Sequence, residues 1–404
     1  MCINRRTRLT GGLVALLLVL TLFINQLPGN LSVVDLVLLT LAVGILARIP
    51  TVSVQILKRF SAPTLIWMAF VTTGIISVLA WGGNAISIFK DGFSFLFFLV
   101  PLILLGTKDN ADAITFLARL LPWIAVLGAT PVLLDSSPWR STGTFANPNH
   151  TGSWLATVAI LLLITSDQRR WLVTNSGVVL LTAALLATQS FGNVVAFVGA
   201  FAYWTLARTL KTLTKEPTTR RSGLRMAVAS CTLAAGLTVL LLFPRVANYA
   251  MTALSAQINT TRLEESYEYR TELYGSAWNL VLDQPLGIGP DNFKLHIESY
   301  SREAHNDMLE IALEYSLLGL ALAIIFTLLI WRTASTRAHV VLVFIAISAL
   351  THSVINFRHV WIALAIAVAA DSVRGSLAKL DSPHKTLDQV QPDVQLEKRS
   401  ENAK

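Results

Sequence analysis

The chain has 404 residues, 53% of them hydrophobic and only 14% charged, with a mean hydropathy of +0.59. A soluble domain carries about 25% charged residues, so this composition excludes a soluble globular enzyme and predicts a polytopic membrane protein. The net charge of +8 sits mostly in short basic clusters between apolar runs, a pattern of membrane orientation rather than of nucleic-acid binding.

Twelve apolar runs of bilayer length are read as spans: 11–28, 31–48, 63–81, 93–107, 117–134, 151–167, 171–188, 194–209, 226–243, 307–331, 339–356 and 359–373. The first has a basic start like a signal peptide, but a second apolar run follows at once with no Ala-x-Ala site, so it is read as a retained span. Cys2 precedes the first span and Cys231 lies inside the ninth. They predict neither a disulfide nor a metal site.

Orientation follows from the basic loops. Arg5, Arg6 and Arg8 precede span one; Arg48, Lys58 and Arg59 lie between spans two and three; Lys108 follows span four, and Arg169 and Arg170 follow span six. Arg208 to Arg225 separate spans eight and nine, Arg332 and Arg337 follow span ten, and Arg374 follows span twelve. With twelve spans all of these fall on one side, the cytoplasm, and both termini are inside. The expected organisation is a membrane domain over 1–374, a large outer loop at 244–306, and a disordered cytoplasmic tail over 375–404.

Two loops on the outer side carry polar chemistry. The first, Asp135–His150, contains Trp139-Arg-Ser-Thr-Gly-Thr-Phe-Ala-Asn-Pro-Asn149. Asn147 and Asn149 have a plain reading as turn residues, with Asn149 or Thr151 as cap of the next span. Arg140 runs against the orientation bias and is a candidate phosphate ligand, because a guanidinium forks onto phosphate oxygens. The second is 244–306. Leu263, Tyr267, Arg270, Tyr274 and Trp278 recur at helical spacing, predicting an amphipathic helix over 262–282 that stops at the glycine–proline run Gln284–Pro290. Its plain role is to lie on the membrane with Tyr274 and Trp278 among headgroups and Arg270 snorkelling. Its functional role is to face an anionic lipid-linked substrate.

The large loop ends at His305. Asn306 is read as the cap of span ten, with Asp307 and Glu310 complementing the positive helix end. A lone histidine here has a plain reading as a hydrogen-bonded interfacial residue. It can also act as a general base, since imidazole titrates near neutral pH. No HExxH is present and no second histidine stands at ligand spacing, so no metal is expected. Arg302 and Arg358, the latter in the turn Asn356-Phe-Arg-His359, add cations on the outer side.

These segments together resemble the O-antigen ligase and O-antigen polymerase superfamily of bacterial membrane glycosyltransferases. The match is carried, in family order, by Arg140-Ser-Thr-Gly-Thr-Phe-Ala-Asn-Pro-Asn149, by Arg270 with Trp278, by Pro285-Leu-Gly-Ile-Gly289, and by Ala304-His-Asn306 with the Glu-Tyr-Ser-Leu-Leu-Gly319 run. The resemblance implies an all-helical membrane fold of the integral-membrane glycosyltransferase (GT-C-like) type. It implies transfer of a glycan from undecaprenyl diphosphate to an acceptor hydroxyl, on lipid A-core or a growing glycan, at the periplasmic face of the bacterial inner membrane. It implies no metal and no cofactor. It makes His305 the catalytic residue and puts Arg270 and Arg140 at the diphosphate. Arg302, Arg358, Asn147, Asn149 and Tyr274 complete the candidate substrate contacts. One departure is that Phe191 stands where many members carry an arginine after span seven, which removes one phosphate contact.

Ligase chemistry is favoured over glycan polymerisation, which shares the motifs. A polysaccharide transporter or flippase is the rival of another class. The loop after span six is short, the largest loop is outside, and few spans hold a mid-bilayer charge, all of which disfavour a carrier.

Overall fold

The computed structural model describes residues 5–22, 33–48, 54, 56, 58–106, 111–135, 141–145, 147–166, 171–213, 260–296, 306–352, 354 and 356–380. Among them every regular element is a helix and none is a strand. The expected ninth span, 226–243, the tail beyond 380, Cys2 and Cys231 lie outside the described residues.

In chain order the helices are α1 (Arg5–Leu20), α2 (Val33–Arg48), α3 (Ser61–Trp81), α4 (Ala85–Ser94), α5 (Leu96–Leu105), α6 (Ala111–Leu134), α7 (Pro148–Thr165), α8 (Trp171–Ala187) and α9 (Phe191–Leu213). After residues outside the description come α10 (Thr260–Asp283), the single turn α11 (Phe293–His296), α12 (Asp307–Thr333), α13 (Thr336–Ala349) and α14 (Arg358–Leu380). Four described stretches are long and apolar enough to cross a bilayer: Ser61–Trp81, Ala85–Leu105, Asp112–Leu134 and Asp307–Thr333. α1, α8, α13 and the first part of α14 contain shorter apolar runs. This is the composition of a membrane protein.

Burial sorts the helices. α7 is buried on nearly every side from Thr151 to Leu162, and α14 from His359 to Ala370. A helix that is apolar all round belongs in the middle of a bundle, and these two pack on each other there, α14 also touching α5 and α13. α3 is different. It buries Pro63, Trp67, Phe70, Gly74 and Ser77 at helical spacing, and leaves Leu65, Met68, Ile76 and Leu79 exposed. Apolar residues on both faces are what a helix needs when one side meets protein and the other meets lipid.

Trp67 is the hub of the packing on this side. Its ring lies 5.6 Å from Phe95, 5.1 Å from Phe326 and 5.1 Å from Trp361, so one side chain joins α3, the α4–α5 junction, α12 and α14. Close helix approach relies on glycine: a Cβ at Gly128 would lie 2.1 Å from the Trp154 ring, and one at Gly74 would lie 2.3 Å from the Tyr315 ring.

Several span boundaries differ from the hydropathy reading. The fourth begins at Ala85 rather than 93, because Asn84 caps it: its Oδ1 accepts from the Ile86 amide at 3.0 Å. The first helix starts at Arg5, and the eleventh ends at Ala349 rather than 356. The last helix runs on to Leu380, so the tail expected from 375 begins as helix. The helix expected over 262–282 is α10.

Candidate functional site

The turns that the basic-loop count puts outside converge through side chains. α7 begins at Pro148, a residue suited to the first helical position because it lacks an amide hydrogen that would otherwise be orphaned. Asn147 is therefore the cap, its Oδ1 accepting from the Asn149 amide at 2.8 Å; the expected caps Asn149 and Thr151 lie inside the helix. Asn149 is instead held from the start of α9 and the residue before it. Ser190 Oγ donates to Asn149 Oδ1 at 3.0 Å, and Asn193 Nδ2 donates to the Asn149 carbonyl at 2.8 Å. Asn193 Nδ2 also lies 2.8 Å from Ser190 Oγ and 3.0 Å from His352 Nε2. Ser190, Asn193 and His352 are buried. One turn along α7, Ser153 Oγ lies 3.0 Å from His359 Nε2, and the His150 ring meets Phe357 edge-on at 4.6 Å.

Glycine lets these groups meet. A Cβ at Gly192 would lie 2.3 Å from Thr351 Oγ1 and 2.4 Å from the His352 ring, and one at Gly152 would lie 2.7 Å from Ser190 Cβ.

Asn306 caps α12 as read from the sequence, its Oδ1 accepting from Met308 N at 3.0 Å and Leu309 N at 3.2 Å. Its Nδ2 reaches the Leu350 carbonyl at 3.3 Å. Asp307 is buried, and its Oδ2 accepts from Val354 N at 2.7 Å. The start of α12 is thus tied to Leu350 and Val354, on either side of His352 in sequence.

α12 is not continuous. Ser316 has φ 85° and ψ 166°, which breaks the helical hydrogen-bond ladder. In a membrane such a break is tolerated only where protein satisfies the freed backbone groups. The Pro285–Gly289 run does this. Ile288 N donates to Leu313 O at 2.6 Å, and Leu317 N donates to Pro285 O at 3.2 Å. Gly287 has φ +87° and lies against the backbone of residues 313–316. The run that reads from sequence as a chain reversal is also a splice into a broken helix. Glu314 Oε1 accepts from Asp291 N at 3.0 Å, and Tyr315 donates its hydroxyl proton to the buried carboxylate of Asp91. Asp291 Oδ2 in turn accepts from Asn84 Nδ2 and Ser87 Oγ, each at 2.7 Å.

Arg358 is committed in part. Its Nε and Nη2 donate to Asp35 Oδ1 and Oδ2 at 2.6 and 2.7 Å, joining α14 to α2. A guanidinium carries five N–H donors, so Nη1 remains for another acceptor. In α10 the buried stripe is Leu273, Ala277 and Val281, packed on Ile288, Phe293, Ala312 and Leu313. Tyr274 is half-buried beside this stripe and Trp278 is exposed. The backbone of Arg270 belongs to α10. Arg140, Arg302 and His305 lie outside the described residues.

Sequence reading missed Asp35, Asp91, Ser190, Asn193, His352 and His359 as members of this polar assembly. The available signal was a polar or ionisable residue within or beside an apolar run, which is costly in lipid without partners. No group of metal-ligating side chains is found among the described residues.

The stretch from α8 through α10 to the broken helix α12 is the part that known sequences recognise. Residues 176–324 match the family model described as O-antigen ligase. This stretch is similar to the O-antigen ligase family. No curated protein matches the chain. The matched stretch contains Ser190, Asn193, the Pro285–Gly289 splice and Glu314, while Asn149 and His352 lie outside it on either side.

Proposed function

We propose that this protein is a membrane glycosyltransferase of the O-antigen ligase type. It moves a glycan from undecaprenyl diphosphate to an acceptor hydroxyl on lipid A-core, at the periplasmic face of the inner membrane. The observation that carries this reading is the O-antigen ligase match over 176–324. The membrane-protein composition and the convergence of the outer turns support it.

The chemistry follows from the leaving group. A lipid diphosphate departs with negative charge, and preorganised cations shielded from bulk water stabilise that charge as it develops. Arg140, Arg270 and Arg302 are assigned to the diphosphate, with Arg358 adding its remaining donors from beside Asp35. Losing one such contact raises the barrier by about 2.7–4 kcal/mol. His305 takes the proton of the acceptor hydroxyl as its oxygen attacks the anomeric carbon, and the bond to the diphosphate oxygen breaks on the opposite face. The product is inverted and the diphosphate leaves on its lipid. No metal takes part in this step. Asn147, Asn149 and Tyr274 are assigned to the glycan and diphosphate, with membrane lipid around them. The twelve-span count, the inside termini and the large outer loop complete the reading.

The test is a lipopolysaccharide gel, run with the lipid-linked glycan pool, from a deletion strain carrying wild type or His305→Ala. The expected result is loss of the long ladder, accumulation of polymer on undecaprenyl diphosphate, and failure of His305→Ala to rescue. A core bearing a single repeat unit identifies a polymerase instead. An intact ladder in the His305→Ala strain overturns the glycosyltransferase reading and favours transport.

A further inference from the structure

The buried hydrogen-bond chain under α7 has a direction. Asn149 is half-buried at its outer end, while Ser190, Asn193 and His352 behind it are buried. Both oxygens of Asn149 are occupied from the start of α9 and the residue before it: Oδ1 accepts from Ser190 Oγ, and the carbonyl accepts from Asn193 Nδ2. A carbonyl oxygen can only accept, so that contact fixes which end of the Asn193 carboxamide is nitrogen. One Asn193 hydrogen goes to Asn149. The other is shared between Ser190 Oγ at 2.8 Å and His352 Nε2 at 3.0 Å. His352 also stands 3.4 Å from Ser190 Oγ. The imidazole therefore closes behind both groups that grip Asn149.

We infer that His352 is a positioning residue: acting through Ser190 and Asn193, it sets the place and orientation of the Asn149 side chain for binding the glycan donor. This rests on the proposed function, in which Asn149 contacts that donor. Three features argue for a built device rather than incidental packing. The chain crosses elements far apart in sequence, from residue 149 to α9 to residue 352. Its buried polar members are costly in a membrane interior without partners, and each of them holds at least one of the others here. Two glycines, Gly152 and Gly192, stand where any side chain would push the network apart. Leu350 and Val354, close to His352 in sequence, are also bonded to Asn306 and Asp307, so neighbouring residues serve both the Asn149 grip and the start of α12.

The experiment compares Asn149→Ala, His352→Leu, His352→Gln and the double variant Asn149→Ala/His352→Leu with wild type and His305→Ala. All are purified in detergent and given an undecaprenyl-diphosphate-linked glycan and lipid A-core. Misplacement of a substrate contact by about 1 Å can lower rate up to about 100-fold. His352→Leu is expected to raise the donor KM at least about tenfold, with a smaller change in kcat, as Asn149→Ala does. The double variant is expected to be no worse than the poorer single. His352→Gln, which keeps a neutral hydrogen-bonding end, is expected to recover most of the donor affinity, a rescue that a space-filling role would not produce. A wild-type donor KM in His352→Leu overturns the inference, as do losses that multiply in the double variant. If His352→Leu does not accumulate, Ser190→Ala takes its place, with the same outcomes.

Failure of the proposed function looks different. Transfer by His305→Ala at the wild-type rate removes that reading. Transfer lost in His305→Ala but unchanged in Asn149→Ala keeps it and overturns the positioning role. A ligand-free thermal cycle on Asn149→Ala, His352→Leu and their double reads the linkage alone. Non-additive shifts support it, and additive shifts overturn it whatever the reaction.

Discussion

Arg358 grips Asp35 through Nε and Nη2, at 2.6 and 2.7 Å, across 323 positions of sequence. Both residues are largely buried, with side chains 15% and 3% exposed. The pair joins the first turn of α2 to the start of α14, the central helix. Removing one partner of a buried pair leaves the other charge uncompensated, which costs about 3–5 kcal/mol. Asp35→Leu is expected to lower the unfolding midpoint in detergent sharply, and Asp35→Leu/Arg358→Met to recover part of the loss. A double variant as unstable as Asp35→Leu would mean that the pair's partners, not the pair, matter there.

The splice at the broken helix predicts a contrast between two glycines. Gly287 has φ +87°, and a Cβ there would meet Ser316 N at 3.0 Å and Glu314 O at 3.1 Å. Gly287→Ala is expected to destabilise by about 1–3 kcal/mol through backbone strain. Gly275, on the exposed side of α10, has nothing within 4 Å of that position. Gly275→Ala is expected to stabilise by about 0.5–1 kcal/mol through reduced unfolded-state entropy and better helix propensity. Thermal unfolding of the two variants, side by side, checks the opposite signs.

Asn306 makes two separable contributions. Its Oδ1 caps α12 and its Nδ2 ties that cap to Leu350. Asn306→Ala is expected to cost about 1 kcal/mol of stability, an ordinary cap loss. Asn306→Ser keeps an acceptor for the cap and drops the tie, so it is expected to restore most of the stability. Because the next residue back is His305, both variants are expected to transfer glycan more slowly than wild type. Normal transfer by Asn306→Ser would show that the Leu350 tie is dispensable.

Trp67 touches the α4–α5 junction, α12 and α14 at once. Trp67→Ala is expected to cost about 3–5 kcal/mol, the usual range for an aromatic removed from a core. Trp67→Phe is expected to cost less. Equal midpoints for wild type and Trp67→Ala would contradict the hub.

Much of the helical plan was legible because it is local. Apolar length gave α3, α6, α7 and α12, helical periodicity gave α10, and an asparagine before an acidic turn gave the α12 cap. Local rules also misplaced boundaries. Hydropathy started the fourth span at 93 because Lys90 and Asp91 made the preceding turns look polar. It could not register that Asn84 caps the helix or that Tyr315 donates a hydrogen bond to Asp91. Two asparagines flank Pro148, and only the proline's preference for the first helical position makes Asn147 the cap. The break at Ser316 has no local mark, since serine in an apolar run reads as helix; what stabilises it is the Pro285–Gly289 backbone, a tertiary contact. His352 fell inside an apolar run that appeared long enough for a span. The Asp35–Arg358 pair and the Asn149–Ser190–Asn193–His352 chain join residues too distant for any pattern to link. The asparagines and the late arginine were singled out singly, without the partners that hold them.

Glycan transfer from a lipid diphosphate is the activity proposed for this protein. Its most direct test uses the purified protein in detergent with an undecaprenyl-diphosphate-linked glycan and lipid A-core, in the presence of EDTA, with His305→Ala in parallel. Glycosylated lipid A-core is expected from wild type despite the chelator, with release of undecaprenyl diphosphate in equal amount and no product from His305→Ala. Absence of transfer by the wild-type protein, or equal transfer by His305→Ala, would contradict it.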